Sequence, residues 1–204
     1  MSSEFQLQLR FKGARQYLQG PDIYNALCDT LAERGWESLE KIDVVFHKMA
    51  ASQLTGRIYL GQDVPASEPN VVFRAVSKGQ ALTVLLEEGG ESIAGRVPYD
   101  EEALVARTTL DADQKRISVP ATPGYSNIEA FVALNKSLLL RSFPEAKGRW
   151  LFARLQMAQS FRHTPFEQFE VRFQGHSNFR ITRSVLLGDG RTLGSLYFSL
   201  LPEG

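Results

Sequence analysis

The sequence predicts an α+β fold in which two helices are each wrapped by antiparallel β-sheet, in two halves covering residues 1–105 and 106–204. Three observations carry that prediction. Segments of period-two alternation outnumber helical ones. One helix is apolar on nearly every side and must be enclosed by other elements. The order strand, loop, helix, several strands occurs twice, at a spacing of roughly one hundred residues.

Composition narrows the function classes first. The 204 residues are 43% hydrophobic and 23% charged, an ordinary balance for a domain that buries a core. Twenty-three Lys and Arg offset 23 Asp and Glu, so no overall field draws the chain to nucleic acid or to an anionic membrane. The single cysteine, Cys28, rules out an intramolecular disulfide and a cysteine metal cluster; within "IYNALCDTL" it reads as a small buried hydrophobe. The opening "MSSEFQLQLRFKG" has no long apolar run, so it reads as neither signal peptide nor transmembrane span, and a cytoplasmic location is expected.

In the first half, Phe5, Leu7, Leu9 and Phe11 alternate with Gln6, Gln8, Arg10 and Lys12, the period of a half-buried strand that Gly13 ends. The loop "RQYLQGPD" leads to a helix with Ile23, Leu27 and Leu31 on one face, Asp22 as its expected N-cap and Gly35 as its stop. "KIDVVFHKMA", "GRIYLG", "NVVFRAVS" and "ALTVLLEEGGESIAGRVPY" read as strands, the last turning at Glu88-Gly89-Gly90. "DEEALVARTTLDADQ" is a short helix or a linker between the halves.

In the second half, "KRISVP" is a brief strand, and "PGYSN" turns into a helix containing Ile128, Ala130, Phe131, Val132, Ala133, Leu134, Leu138, Leu139 and Leu140. "RWLFARLQMA", "FEVRFQG" and "NFRITRSVLLGDGRTLGSLYFSL" return to strand periodicity. "IDVVFHKMAASQ" matches "WLFARLQMAQSF", and "TVLLEEGGESIAG" matches "RSVLLGDGRTLG", which reads as an internal duplication.

A mostly apolar helix inside a long antiparallel sheet, twice in one chain, resembles the hotdog fold in its double form. "GYSNIEAF" also resembles the Gly-His-x-Asn-Asn stretch of hotdog thioesterases, with Gly124 and Asn127 in the matching places and Tyr125 where the family has histidine. The resemblance implies action on an acyl thioester carried by coenzyme A or acyl carrier protein, in a tunnel between the halves, with hydrolysis ranked above hydroxyacyl dehydration. A protein that only binds such a group, a scaffold, or a carrier of a hydrophobic ligand is the rival. No cofactor is implied beyond the coenzyme A or phosphopantetheine of the substrate, and a homodimer is among the assemblies it allows. It points to the helix entrances, hence to Tyr17, Gly20 and Tyr125 as substrate contacts.

The residues supply candidates with plainer alternatives beside them. Thioester hydrolysis needs a carboxylate to activate water and backbone amides at a helix start to hold the oxyanion. Asp22 and Glu129 stand there, yet Asp22 suits an N-cap, and Ser126-x-x-Glu129 is a capping box. His47, in "DVVFHKM", is a base if it faces a cleft and a half-exposed strand residue otherwise. His163 reads as a loop residue, and His176 as part of a hairpin turn. Asn135 shares a helical stripe with Ile128, Phe131 and Leu138, so its amide meets either a strand backbone or a substrate tunnel. Arg180 and Arg183, with Arg172, are candidates for coenzyme A phosphates. No metal site is expected, and "EEGGES" and "GDGRTLG" are hairpin turns without a phosphate-binding lysine.

Overall fold

A computed structural model describes residues 3–61, 64–121, 124–178 and 180–202. Pro123, which opens the "PGYSN" turn, and Phe179, in the last strand stretch, lie outside them. The chain forms two compact units. The first runs to Tyr99 and includes Met157–Ser160; the second comprises Asp100–Gln156 and the residues from Phe161 onward.

The first unit contains β1 (Ser3–Gln6), β2 (Phe11–Lys12), α1 (Gly20–Glu33), β3 (Glu40–Phe46), β4 (Ser52–Leu60), β5 (Val71–Ser77), β6 (Gln80–Ser92) and β7 (Arg96–Val97). Its strands follow the order β1-β4-β6-β5-β3, while β2 and β7 form a short parallel pair. The expected strand over Phe5 to Phe11 is thus two strands, although Phe5, Leu7 and Leu9 are buried as the alternation requires. The break has a local cause. The side-chain amide of Gln53 donates to the Leu9 carbonyl at 2.8 Å, and its oxygen accepts from the Leu9 amide at 2.9 Å. A side chain thereby replaces the ladder where β4 shifts register between Ser52 and Leu54.

Helix α1 buries Ile23, Leu27 and Leu31, as their four-residue spacing dictates. Its end is a Schellman motif: the Trp36 amide donates to the Leu31 carbonyl and the Gly35 amide to Ala32, with Gly35 at φ +87°. Its start differs from expectation. Gln19 is the N-cap residue, and Asp22 lies inside the first turn.

The predicted turn at Glu88-Gly89-Gly90 does not reverse the chain: the three residues lie within β6, whose pairing with β4 shifts register between Glu88 and Ser92. Gly89 is there because the strands are close: a Cβ on it would stand 2.7 Å from the Thr55 hydroxyl. The hairpin between β5 and β6 turns at Lys78 and Gly79, both at positive φ, as a type I′ turn demands.

Glu88 fastens the segment that follows β3. Its carboxylate accepts from the Ala51 and Ser52 amides at 2.7 and 2.9 Å and from the Ser52 hydroxyl, while its own amide donates to Asn70 Oδ1. Those donors, led by the Ala51 amide, hold the carboxyl below its usual range. A depressed folded-state pKa contributes stability that is present above the unfolded pKa and lost as pH falls through the folded one. Acidification from about pH 6 to about pH 3 is therefore expected to lower the melting temperature of the wild type more steeply than that of Glu88→Gln. Parallel curves would refute the assignment.

The second unit contains α2 (Glu101–Val105), β8 (Thr109–Asp111), β9 (Arg116–Pro120), α3 (Asn127–Ser142), β10 (Arg149–Gln159) as far as Gln156, β11 (Gln168–Ser177), β12 (Ile181–Gly188) and β13 (Arg191–Leu201). Its strands are ordered β10-β13-β12-β11-β9-β8. Helix α3 is buried over most of its circumference and packs on the inner face of this sheet. The Phe131 ring lies edge-on to Phe169, Phe161 and Phe166, with centroids 5.1, 5.4 and 6.5 Å away. Near the helix end, Leu139, Phe143, Trp150 and Phe198 form one cluster, with Phe173 packed against it.

Each unit has two strands before its long helix, with five strands after it in the first unit and four in the second, and the later strands are ordered differently. In the first, β6 lies between β4 and β5; in the second, β12 lies between β11 and β13. The matched stretches "TVLLEEGGESIAG" and "RSVLLGDGRTLG" are consequently one strand in one unit and a hairpin, turning at Asp189-Gly190, in the other.

Candidate functional site

At the start of α3 the predicted capping box is present. The Glu129 carboxylate accepts from the Ser126 amide at 2.7 Å, and Ser126 Oγ accepts from the Glu129 amide at 3.4 Å. Two further side chains fix the entrance. The Tyr125 hydroxyl donates to the Asp100 carbonyl at 2.6 Å, which ties the turn to the N-cap of α2. Asn127 donates its side-chain amide to the carbonyls of Phe161 and Thr164 at 2.7 and 2.8 Å, with Arg162 at 3.4 Å. It braces the segment before β11, which carries the rings around Phe131.

Two turns further along, Asn135 is fully buried, and neither its Nδ2 nor its Oδ1 has a hydrogen-bond partner among the described residues. Of the two expected roles, the strand backbone bond is not made. An orphaned buried polar group costs about 1–3 kcal/mol, so leaving both atoms of this amide unmatched is a local cost to the fold. Ser142, seven residues on, and Ser184 on β12 also have buried hydroxyls without partners among the described residues. Ser184 went unnoticed in the sequence, although the inward parity of Thr182, Ser184 and Leu186 against Arg183 and Val185 marks it.

In the first unit, Asp22 is paired with Lys12 at 2.8 Å, both side chains being mostly buried. Lys12 also lies over the Tyr99 ring, 4.9 Å from its centroid. Arg96 donates to the Gly13 and Arg15 carbonyls at 2.5 and 2.6 Å, holding the β2–β7 pair beside the α1 entrance. Gly20 is the first residue of α1, and Tyr17 is half-buried in the loop before it.

The remaining candidates are dispersed. His47 lies just beyond β3 and is exposed; its amide donates to the Asn70 carbonyl at 2.8 Å. His176 is in β11 and not in a turn, its ring 6.0 Å from that of Phe143. Arg172 bonds Glu170, Arg183 donates to Ser195 Oγ at 3.3 Å, and Arg180 lies exposed in the turn between β11 and β12. Among the described residues no group of three His, Cys, Asp or Glu side chains is placed to hold a metal ion, and no helix is long and apolar enough to cross a membrane.

No protein-family model matches the sequence, and no curated protein does. Solved structures match along nearly the whole chain. The dehydratase domain of PpsC from Mycobacterium tuberculosis, in complex with C12:1-CoA, is similar at TM-score 0.53 and 9% identity, over 98% of this chain and 93% of that one. The TesB protein of Mycobacterium avium subs paratuberculosis is similar at TM-score 0.52 and 10% identity, over the same shares. At such identities the likeness concerns backbone architecture, and that architecture is an antiparallel sheet around a buried helix. The chain has the hotdog fold.

Proposed function

We propose that this chain is a double hotdog that binds or converts an acyl thioester presented on coenzyme A or an acyl carrier protein, with the acyl part held against α3 of the second unit. The observation that carries this reading is Asn135: a fully buried amide, unmatched at both atoms, in an otherwise apolar stripe. An apolar layer with one free hydrogen-bonding group suits a ligand that is mostly hydrocarbon. The solved dehydratase domain with C12:1-CoA supports the same class of ligand by fold.

A specific observation favours binding over hydrolysis as the activity. Both carboxylates at helix starts are engaged, Glu129 with the Ser126 amide and Asp22 with Lys12. Each contact gives its carboxylate a structural role, and a base drawn from either would act through its remaining lone pairs. Calorimetric titration with saturated acyl-coenzyme A thioesters, with free thiol release followed in parallel, tests the proposal. Affinity is expected to rise by up to about fourfold per methylene, from about 0.8 kcal/mol of burial each. No binding at any chain length would sink it. Thiol release abolished by Asp22→Asn or Glu129→Gln would establish hydrolysis instead of binding alone.

A further inference from the structure

Positive charge gathers at the entrance of α1 and not on the arginines of the second unit, where Arg172 is tied to Glu170 and Arg183 to Ser195. In the short β2–β7 pair, Phe11 is in register with Arg96 and Lys12 with Val97. Lys12 and Arg15 both stand over the Tyr99 ring, 4.9 and 5.5 Å from its centroid. Lys12 is also bonded to Asp22, in the first turn of α1. The side chains named here are three cations and one carboxylate, a surplus of two positive charges, with Arg96 itself exposed. Arg96 is a donor held ready. Its Nη1 donates to both the Gly13 and Arg15 carbonyls, at 2.5 and 2.6 Å, and its guanidinium lies over the Phe11 ring, 5.3 Å from the centroid. Those three contacts fix the plane of an exposed guanidinium, so little side-chain entropy is left to lose on binding. Nε and Nη2, the side-on edge of the fork, have no partner among the described residues. A two-donor edge of that kind matches two oxygens of a phosphate.

We propose that Arg96, supported by the charges of Arg15 and Lys12, binds a phosphate group at the entrance of α1. A phosphate monoester carries about −1.5 to −2 at neutral pH and meets the surplus, which a single carboxylate would only half meet. Lys12, committed to Asp22, contributes charge; the free edge of Arg96 contributes the bonds and their direction. For the identity of the ligand this inference rests on the acyl-thioester reading above. The group is then a phosphate of coenzyme A or of the phosphopantetheine on an acyl carrier protein.

The test titrates the full chain calorimetrically with the decanoyl thioesters of pantetheine, 4′-phosphopantetheine, 3′-dephospho-coenzyme A and coenzyme A, and with inorganic diphosphate. Wild type, Arg96→Lys and Arg15→Gln are compared. At least one phosphorylated thioester is expected to bind the wild type about tenfold more tightly than the pantetheine thioester, the worth of one charge-assisted hydrogen bond. Arg96→Lys, which keeps the charge and loses the fork, should erase that gain and leave the affinity for the pantetheine thioester unchanged. A gain already present with phosphopantetheine identifies the phosphate common to both carriers; a gain confined to the two coenzyme A forms identifies coenzyme A as the source. Equal affinity for all four thioesters, or a gain that survives both substitutions, would overturn the site while leaving acyl binding intact. If no decanoyl thioester binds, the acyl-thioester reading falls and diphosphate decides the site: binding that Arg96→Lys abolishes keeps it, and no binding overturns it. Arg15→Gln should reduce the gain as well, so the test stands even if Arg96→Lys does not fold.

Discussion

Asn135→Asp is expected to destabilise the protein by about 3–5 kcal/mol near neutral pH, the cost of an uncompensated buried charge. The substitution is nearly isosteric, so packing is preserved and the loss is electrostatic. Nothing among the described residues bonds either atom of the native amide, hence nothing in place would favour a carboxylate there. Burial raises the pKa of the new carboxyl above the value of about 3.9 that it has in the unfolded chain. With a raised folded-state pKa the native state holds the proton more tightly. The variant should approach wild-type stability below about pH 4 and lose about 1.4 kcal/mol per unit as pH rises, until the folded pKa is passed. Chemical denaturation at a series of pH values reads this directly. A stability difference independent of pH would mean that the site is hydrated or that Asn135 has a partner.

The second large effect is expected at Phe131. Its ring is fully buried at the meeting point of Phe161, Phe166 and Phe169, in edge-on contacts with all three. Those rings come from β11 and the segment before it, the segment that Asn127 holds through its carbonyls. Phe131→Ala removes the ring on which they converge and leaves a cavity that the braced segment is poorly able to fill. The loss should be about 3–5 kcal/mol by equilibrium denaturation. Phe131→Leu, which keeps most of the volume, should cost much less. Equal losses for both would show that ring geometry, and not volume, holds the segment.

The parts of the fold written in local chemistry were legible in the sequence. The apolar circumference of α3 required enclosure, Ser126 and Glu129 spelled the capping box, and Gly35 marked the end of α1. The parts that depend on distant partners were not. Glu88-Gly89-Gly90 has the composition of a turn, but Gly89 serves close strand contact beside Thr55, Gly90 takes a positive φ within β6, and the glutamate reaches Ala51 and Ser52. Strand β1 stops because Gln53, 44 residues away from Leu9, takes over the backbone bonds. Asp22 looks like a cap when read with its neighbours; Lys12 on β2 takes its carboxylate instead. Within the candidate site the stripe of Ile128, Phe131, Asn135 and Leu138 was readable, because helical period alone defines it. That both atoms of the Asn135 amide would be left unmatched was not, since that depends on which strand groups the sheet register brings opposite.

The most direct measurement is the melting temperature of Asn135→Leu together with its affinity for a medium-chain acyl-coenzyme A that carries a hydroxyl on its chain. If the amide is retained for a ligand, its replacement by a hydrocarbon of similar size relieves an unmet burial cost of about 1–3 kcal/mol. The variant then melts higher, by about 2–4 °C for each kcal/mol, and binds the thioester more weakly. A variant that melts lower than the wild type and binds as well would show that Asn135 is a structural group, and the central claim would fall.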